Sequence, residues 1–155
     1  MPLYFAYGSN MKHSQMRDRC GEGWRFLKRA YLPGYKLVFD GCSKRWKGAV
    51  ANVVESEGEM VWGGLFEVTE ECIEKLDKCE GHPEHYKRQE LQVFDDEGNC
   101  YTAYVYLREP KKQGKPSQEY LNTLLQGAKD CELPCEYVEK LRQYEAWIRP
   151  VEGEN

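Results

Sequence analysis

The sequence predicts an α+β domain built on a mostly antiparallel β-sheet with helices set around it. Three observations carry this. About six β-rich runs, bounded by Gly, Pro, Asp or Asn, lie between residues 3 and 107. Stretches of helical spacing stand between and after them. No internal repeat and no linker divides the 155 residues, so residues 1–150 are read as a single domain and 151–155 as a frayed tail.

The first run, Leu3-Tyr4-Phe5-Ala6-Tyr7, is a short apolar strand that ends at Gly8-Ser9-Asn10. Met11 opens a short helix that reaches Cys20 and stops at Gly21. Residues 24–39 read as two strands broken at Pro33-Gly34, with Tyr35, Leu37 and Phe39 alternating against Lys36 and Val38. Residues 40–47 have the composition of a loop. The runs 49–54 and 61–68, separated by Glu55-Ser56-Glu57-Gly58-Glu59, predict a hairpin. From Glu70 to Cys79 the period turns helical. Cys72, Ile73, Leu76 and Cys79 share a face there, Glu70 and Glu71 suit the first turn, and Gly81 ends the helix. A second hairpin is predicted from 86–94 and 100–107 about Asp95-Asp96-Glu97-Gly98-Asn99. Beyond a loop over 109–116, Ser117 caps a helix with an apolar stripe of Tyr120, Leu121, Leu124, Leu125 and Ala128. Pro134 suits the first turn of a last helix carrying Tyr137, Val138 and Leu141.

Composition excludes several function classes. A net charge of −4 with both signs interspersed does not supply the basic face that nucleic acid requires. No apolar run reaches membrane-spanning length, and the first residues lack the layout of a signal peptide. The seven cysteines are odd in number and contain no Cys-x-x-Cys pair, so free thiols in a reducing cytoplasm are expected rather than a disulfide framework. Eleven tyrosines and four tryptophans predict an aromatic core or cleft, some of it lining a wet pocket.

Two places carry candidate chemistry. At the first strand's end, Gly8 admits the close approach of a ligand, and Ser9 and Asn10 are good N-cap residues. Such a junction presents unpaired backbone N–H groups to an anion or a developing oxyanion. The second place is Glu80, at the C-terminal end of its helix, where exposed carbonyls disfavour a negative charge and Asp77 adds repulsion. Both effects raise a carboxyl pKa toward the range where one group takes and gives a proton. On these residues alone, a solvated surface glutamate is the alternative.

Tyr4-Phe5-Ala6-Tyr7-Gly8-Ser9-Asn10-Met11 is similar to the opening motif of the γ-glutamylcyclotransferase superfamily. Further similarities come in order along the chain: Trp62-Gly63, Leu76-Asp77 with Glu80-Gly81 and Tyr86, then Gly127-Ala128-Lys129, Leu133-Pro134, Glu136-Tyr137 and Lys140-Leu141. The resemblance extends from Leu3 to near Tyr144 and implies a small barrel-like sheet flanked by helices. It also implies Glu80 as catalytic acid/base, and Tyr7, Gly8, Ser9, Asn10 and Tyr86 as substrate-binding residues, although the two tyrosines read equally well as core packing. The activity implied needs no cofactor and no metal. The α-amino group of a γ-glutamyl compound attacks its own γ-carbonyl, giving 5-oxoproline and the released amine. Backbone donors at Gly8 to Asn10 are then available to the oxyanion or to the substrate's α-carboxylate, and both assignments stay open. The C-terminal motifs resemble the branch acting on γ-glutamyl α-amino acids, whereas Glu80-Gly81-His82-Pro83 with Tyr86 and Arg88 resembles the branch acting on γ-glutamylamines. The expected partner is a small γ-glutamyl molecule, with no nucleic acid and no membrane, and the chain is expected as a monomer or homodimer.

The alternative function is a binding or regulatory module that keeps the fold without turnover. A retained Glu80 beside an intact Tyr7-Gly8-Ser9-Asn10 favours the enzyme. Cys79, His82 and His85 offer three metal ligands, but Pro83 breaks their spacing and zinc is not expected. No local signature selects a Cys–His nucleophilic pair. Lys44-Arg45-Trp46-Lys47 is read as a solvated loop.

Overall fold

The computed structural model describes residues 1–148, so the tail predicted at 151–155 lies outside the described residues. Five strands, β1 (Leu3–Ala6), β2 (Trp24–Ser43), β3 (Gly48–Val68), β4 (Lys87–Phe94) and β5 (Cys100–Leu107), close into one barrel in the order β1-β3-β2-β4-β5. Neighbouring strands are antiparallel except β1 and β5, whose parallel pairing at Tyr4 and Tyr104 completes the closure. Around the barrel lie α1 (His13–Cys20), α2 (Glu70–Glu80), α3 (Gln118–Asp130), α4 (Cys135–Arg142) and α5 (Tyr144–Ile148). The α+β, mostly antiparallel barrel is therefore the fold observed.

The main departure from the sequence reading lies between Trp24 and Val68. Residues 49–54 and 61–68 do not form a hairpin with each other; they are two parts of β3, and both pair with β2. Nor does Pro33-Gly34 end a strand. Pro33 pairs with Met60 and Tyr35 with Glu55, so Gly34, at φ 80°, stands opposite residues 56–59. A residue without an N–H, next to a glycine in the left-handed region, suits such a bulge, and the strand pair continues on both sides of it. Punctuation that reads as a turn in sequence is here an irregularity inside one long ladder. The ladder also extends β2 to Ser43, which shortens the predicted loop to residues 44–47.

The helices agree more closely with their sequence signals. The Thr69 hydroxyl accepts the Cys72 N–H at 3.0 Å, and Gly81, at φ 69°, ends α2. The Ser117 hydroxyl accepts the Tyr120 N–H at 3.2 Å and opens α3, whose Tyr120, Leu121, Leu124 and Ala128 are buried. A cysteine reading is corrected, however. Cys20 of α1 and Cys72 of α2 are joined by a disulfide, with their Cα atoms 5.0 Å apart, while Cys42, Cys79, Cys100, Cys131 and Cys135 are free. Packing of the two helices brings together residues 52 apart in the chain, a proximity that cysteine spacing does not disclose. Among the described residues, no helix is long and apolar enough to cross a membrane.

Barrel closure makes β1 cross β3 tightly. Phe5 is fully buried, and a Cβ placed on Gly63 would meet the Ala6 carbonyl oxygen at 2.2 Å and the Phe5 ring at 2.8 Å. At Gly64 the obstacle is the Cys131 sulfur, at 2.4 Å. The backbone oxygen cannot rotate away, so Gly63→Ala is expected to cost about 2–3 kcal/mol of stability. Gly114→Ala, whose added carbon would find Ala49 Cβ at an ordinary 3.4 Å, should stay within about 0.5 kcal/mol of the parent. Urea melts read by tryptophan fluorescence make the comparison; equal midpoints for the two variants would contradict the close crossing.

Candidate active site

The end of β1 leads directly into the site. After Ala6 the chain passes Tyr7 and Gly8 and turns through a 3₁₀ segment, Ser9–Met11, in which Met11 N–H donates to Gly8 O at 3.0 Å and Lys12 N–H to Ser9 O at 3.1 Å. The N–H groups of Ser9 and Asn10 precede the first of these bonds and have no partner within the turn. Two expectations change here. Ser9 and Asn10 do not cap through their side chains: Gly8 and Lys12 occupy the cap positions. Gly8 also has an ordinary negative φ of −118°, so its backbone angle does not demand glycine. A Cβ at Gly8 would instead point at the Tyr120 hydroxyl, 3.4 Å away, and at Ala51. Its bare backbone keeps that wall open.

Glu80 enters from the last residue of α2. Its Oε1 accepts from Arg19 Nη1 at 3.2 Å and from Asn10 Nδ2 at 3.4 Å. Asn10, itself buried, also donates to the Tyr4 hydroxyl at 2.9 Å and receives Arg19 Nη1 on its Oδ1 at 3.1 Å. The Glu80 and Arg19 side chains are only 17% and 11% exposed, so this ion pair is poorly screened. Burial raises the Glu80 pKa above its ordinary value, and the charges of Arg19 and Arg108 with hydrogen bonds from Arg19 and Asn10 partly offset it. The direction is the one expected, but the cause differs. Asp77 is occupied elsewhere, accepting from Arg88 Nη1 and from the Tyr106 hydroxyl, each at 2.7 Å.

Tyr7, Gly8, Ser9, Asn10, Glu80 and Tyr86 all line one cavity of about 370 Å³. The two tyrosines are anchored at its wall: the Tyr7 hydroxyl donates to the Tyr106 carbonyl, and the Tyr86 hydroxyl to the Ala51 carbonyl at 2.7 Å. Burial pushes the phenols of Tyr4, Tyr7, Tyr86, Tyr106 and Tyr120 well up, so they remain neutral donors at physiological pH.

Several residues of this wall escaped the sequence reading. Arg19 carried one available signal, a charge beside Met16 and Cys20 on the buried side of a short helix. Arg108 and Tyr120 carried none, since their approach to the cavity depends on barrel closure and on how α3 docks. The basic loop is only partly solvated. Trp46 packs edge-on against Tyr120 at 5.0 Å and lines the cavity together with Arg45. Cys79, His82 and His85 do not converge; His82 Nδ1 accepts the Arg88 N–H at 3.0 Å, and no cluster of three potential ligands suited to a metal occurs among the described residues.

A single buried, ion-paired carboxyl in a cavity walled by neutral phenols and bare backbone donors is the equipment of an acid–base enzyme. The chain belongs to the family described as "Gamma-glutamyl cyclotransferase, AIG2-like", whose model matches residues 4–123. It is 35% identical over 148 residues to Gamma-glutamylcyclotransferase of Mus musculus, covering 92% of this chain and 78% of that protein. The Homo sapiens protein of the same name is 34% identical over the same shares. A solved structure of a "Gamma-glutamyl cyclotransferase" superposes with a TM-score of 0.87 at 31% identity, covering 99% of this chain and 91% of the other. The protein is thus an enzyme of the cyclotransferase class.

Because Arg19 opposes the effect of burial on Glu80, replacing it should move that carboxyl further in the same direction. In Arg19→Gln, a ¹³C NMR titration of the Glu80 carboxyl is expected to give a pKa above the parent's. An unchanged or lower value would show that the ion pair does not govern the protonation of Glu80.

Proposed function

We propose that this protein converts γ-glutamyl compounds to 5-oxoproline and a free amine without a cofactor, with Glu80 as the acid/base. The observation that carries the proposal is the Glu80 carboxyl itself, buried in the cavity yet held by Arg19 and Asn10. Its raised pKa and its cationic partner are suited to a group that must first accept a proton and then return it. The cavity volume, about 370 Å³, lies at the small end of the usual range for ligand pockets and suits a dipeptide-sized substrate.

These positions set the order of steps. Glu80 takes a proton from the substrate's α-ammonium. The freed amine attacks the γ-carbonyl carbon, and that carbonyl's π pair moves to its oxygen. As the tetrahedral oxyanion collapses, the bond from carbon to the leaving nitrogen breaks and Glu80 returns the proton to that nitrogen; the second proton, which the ring nitrogen sheds on becoming a lactam N–H, passes through Glu80 to the freed amine, which leaves as an ammonium. The enzyme ends as it began. Backbone N–H groups at Ser9 and Asn10 serve the oxyanion or the α-carboxylate, while the anchored Tyr7 and Tyr86 fix the folded substrate between them. Membership of an enzyme family and the buried state of Glu80 weigh against the alternative of a binding module without turnover.

The test is an assay for 5-oxoproline released from γ-glutamyl-alanine in the presence of EDTA. Parent protein is expected to turn over at its full rate, and Glu80→Gln to lose about 100- to 10,000-fold. The α-N-acetylated substrate should be inert, because its nitrogen no longer attacks. Loss of turnover on chelation, or near-parental rates in the variant, would overturn the assignment.

The same variant ties the site to stability. The folded pKa of Glu80 lies above the unfolded one, so folding favours the protonated form. The resulting penalty is absent below the unfolded pKa, grows as pH rises through the folded pKa, and is complete at neutral pH. Glu80→Gln removes the charge and keeps an acceptor for Arg19. Denaturant melts should find the variant no less stable than the parent at pH 7, with that relative advantage shrinking toward pH 4. A large loss at pH 7 would mean that the carboxylate serves the fold.

A further inference from the structure

The Arg19–Glu80 pair is made across two helices, and one of them is short. Helix α1 has eight residues, too few to hold a course by its own hydrogen bonds, so its aim comes from what it docks on. At its start the His13 N–H donates to Asp130 Oδ2 at 2.9 Å, and Gln15 and Met16 are buried. At its end, which carries Arg19, the tie is covalent. Cys20, the next residue, is bonded to Cys72 in the first turn of α2, a turn already fixed by the Thr69 cap. Glu80 ends the same helix, about 12 Å further along a rigid element.

Arg19 depends on that tie. Its Nη1 donates to Asn10 Oδ1 at 3.1 Å and to Glu80 Oε1 at 3.2 Å, while its buried Nε has no partner among the described residues. A shift of α1 by about 0.5 Å takes both bonds beyond hydrogen-bonding range. The surroundings of the bridge also suit its open form. Cys20 Sγ lies 3.5 Å from the Cys72 carbonyl oxygen, an acceptor in place for the thiol proton after reduction. Both cysteines are buried, but Gly21 and Glu22 on one side and Glu70 and Glu71 on the other are exposed. The bridge therefore lies under a surface seam that local opening uncovers.

We propose that the Cys20–Cys72 pair is a redox control on the site: the bridge holds Arg19 against Glu80, and its reduction by a dithiol loosens that contact and slows turnover. The proposal rests on the reading of Glu80 as acid/base given above. A thiolate of the dithiol attacks Cys20 Sγ, on the more accessible of the two residues (4% exposed against 1%). The sulfur–sulfur bond breaks, its electron pair leaves on Cys72 Sγ, and that sulfur takes up a proton. The second thiolate then attacks the mixed disulfide, Cys20 leaves and is protonated, and the reductant departs as a cyclic disulfide. Two electrons and two protons have passed to the protein. The sulfurs now separate to non-bonded contact, and the end of α1 recedes from α2 with Arg19 on it.

The charged groups facing Glu80 are Arg19 and Arg108, the second paired with Asp40; the phenols of Tyr4, Tyr7, Tyr86 and Tyr120 face it as neutral groups. Only Arg19 is carried on α1, so reduction removes its opposition to burial and the Glu80 pKa rises.

The experiment compares protein treated with glutathione disulfide and with dithiothreitol, each form counted by iodoacetamide labelling in denaturant. Five labels are expected for the first and seven for the second. The reduced form should turn over γ-glutamyl-alanine about three- to tenfold more slowly at pH 7, with the acid limb of its kcat/KM profile moved to higher pH. Cys20→Ala/Cys72→Ala, its fold checked by circular dichroism, should match the reduced parent and ignore dithiothreitol. In Arg19→Gln, reduction should change the rate by less than about 1.5-fold, because the bridge acts through Arg19. Four results would overturn the proposal: seven labels after the oxidant, equal rates in the two forms, a dithiothreitol response kept by the cysteine variant, or an undiminished response in Arg19→Gln. No 5-oxoproline from either form would overturn the cyclotransferase reading instead. A ¹³C titration of Glu80 in the two forms then decides whether the bridge governs the contact: a higher pKa after reduction upholds it, and an unchanged one overturns it.

Discussion

Strand β1 is four residues long, yet it pairs with β3 on one side and with β5 on the other, and the position of the site depends on that double pairing. The strand is short enough that every residue is constrained. Tyr4 packs on Phe66 and Tyr106, Phe5 is fully buried, and Ala6 crosses Gly64 with no room for a side chain at Gly63. The chain beyond Ala6 is consequently delivered to one place. The backbone at Gly8, Ser9 and Asn10 turns beside the end of α2, and α1 starts where Arg19 can reach Glu80. The Cys20–Cys72 bridge then ties α1 to α2 one residue beyond Arg19.

Two carboxylates on α2 show how environment separates chemistry from structure. Asp77 and Glu80 are three residues apart at the same helix end. Asp77 is taken up by Arg88 and the Tyr106 hydroxyl, which hold α2 against the β4–β5 pair. Glu80 turns into the cavity, where burial raises its pKa and Arg19 limits the rise. A buried ion pair gains little net stability once both charges are desolvated. Under the proposed function, the pair holds a carboxyl that exchanges a proton rather than one that adds strength.

What the sequence disclosed was local. Thr69, Ser117 and Gly81 cap or stop helices through contacts within a few residues of themselves, and the hairpin of β4 and β5 is set by its own alternation and turn. The long ladder of β2 and β3 was hidden because Pro33-Gly34 and residues 55–59 carry turn chemistry that the barrel uses as a bulge. The candidate residues Tyr7 to Asn10, Glu80 and Tyr86 were found through a motif resemblance, and the helix-end position of Glu80 added a physical reason. Arg19, Trp46, Arg108 and Tyr120 were not found: Arg19 carried only its place beside the buried Met16 and Cys20, and nothing near the other three in the chain marks a cavity. The free-thiol reading failed at Cys20 and Cys72 for the same reason: helix packing, not spacing, decides which sulfurs meet.

The central claim is that the substrate's own nitrogen, with its proton handled by Glu80, displaces the amine. Turnover of γ-glutamyl-alanine in H₂¹⁸O tests it most directly, because no water atom enters an internal cyclisation. Mass spectrometry of early product should find 5-oxoproline without ¹⁸O alongside free alanine. Glutamate carrying one ¹⁸O would contradict the account, since water would then be the nucleophile and the cavity a hydrolytic one.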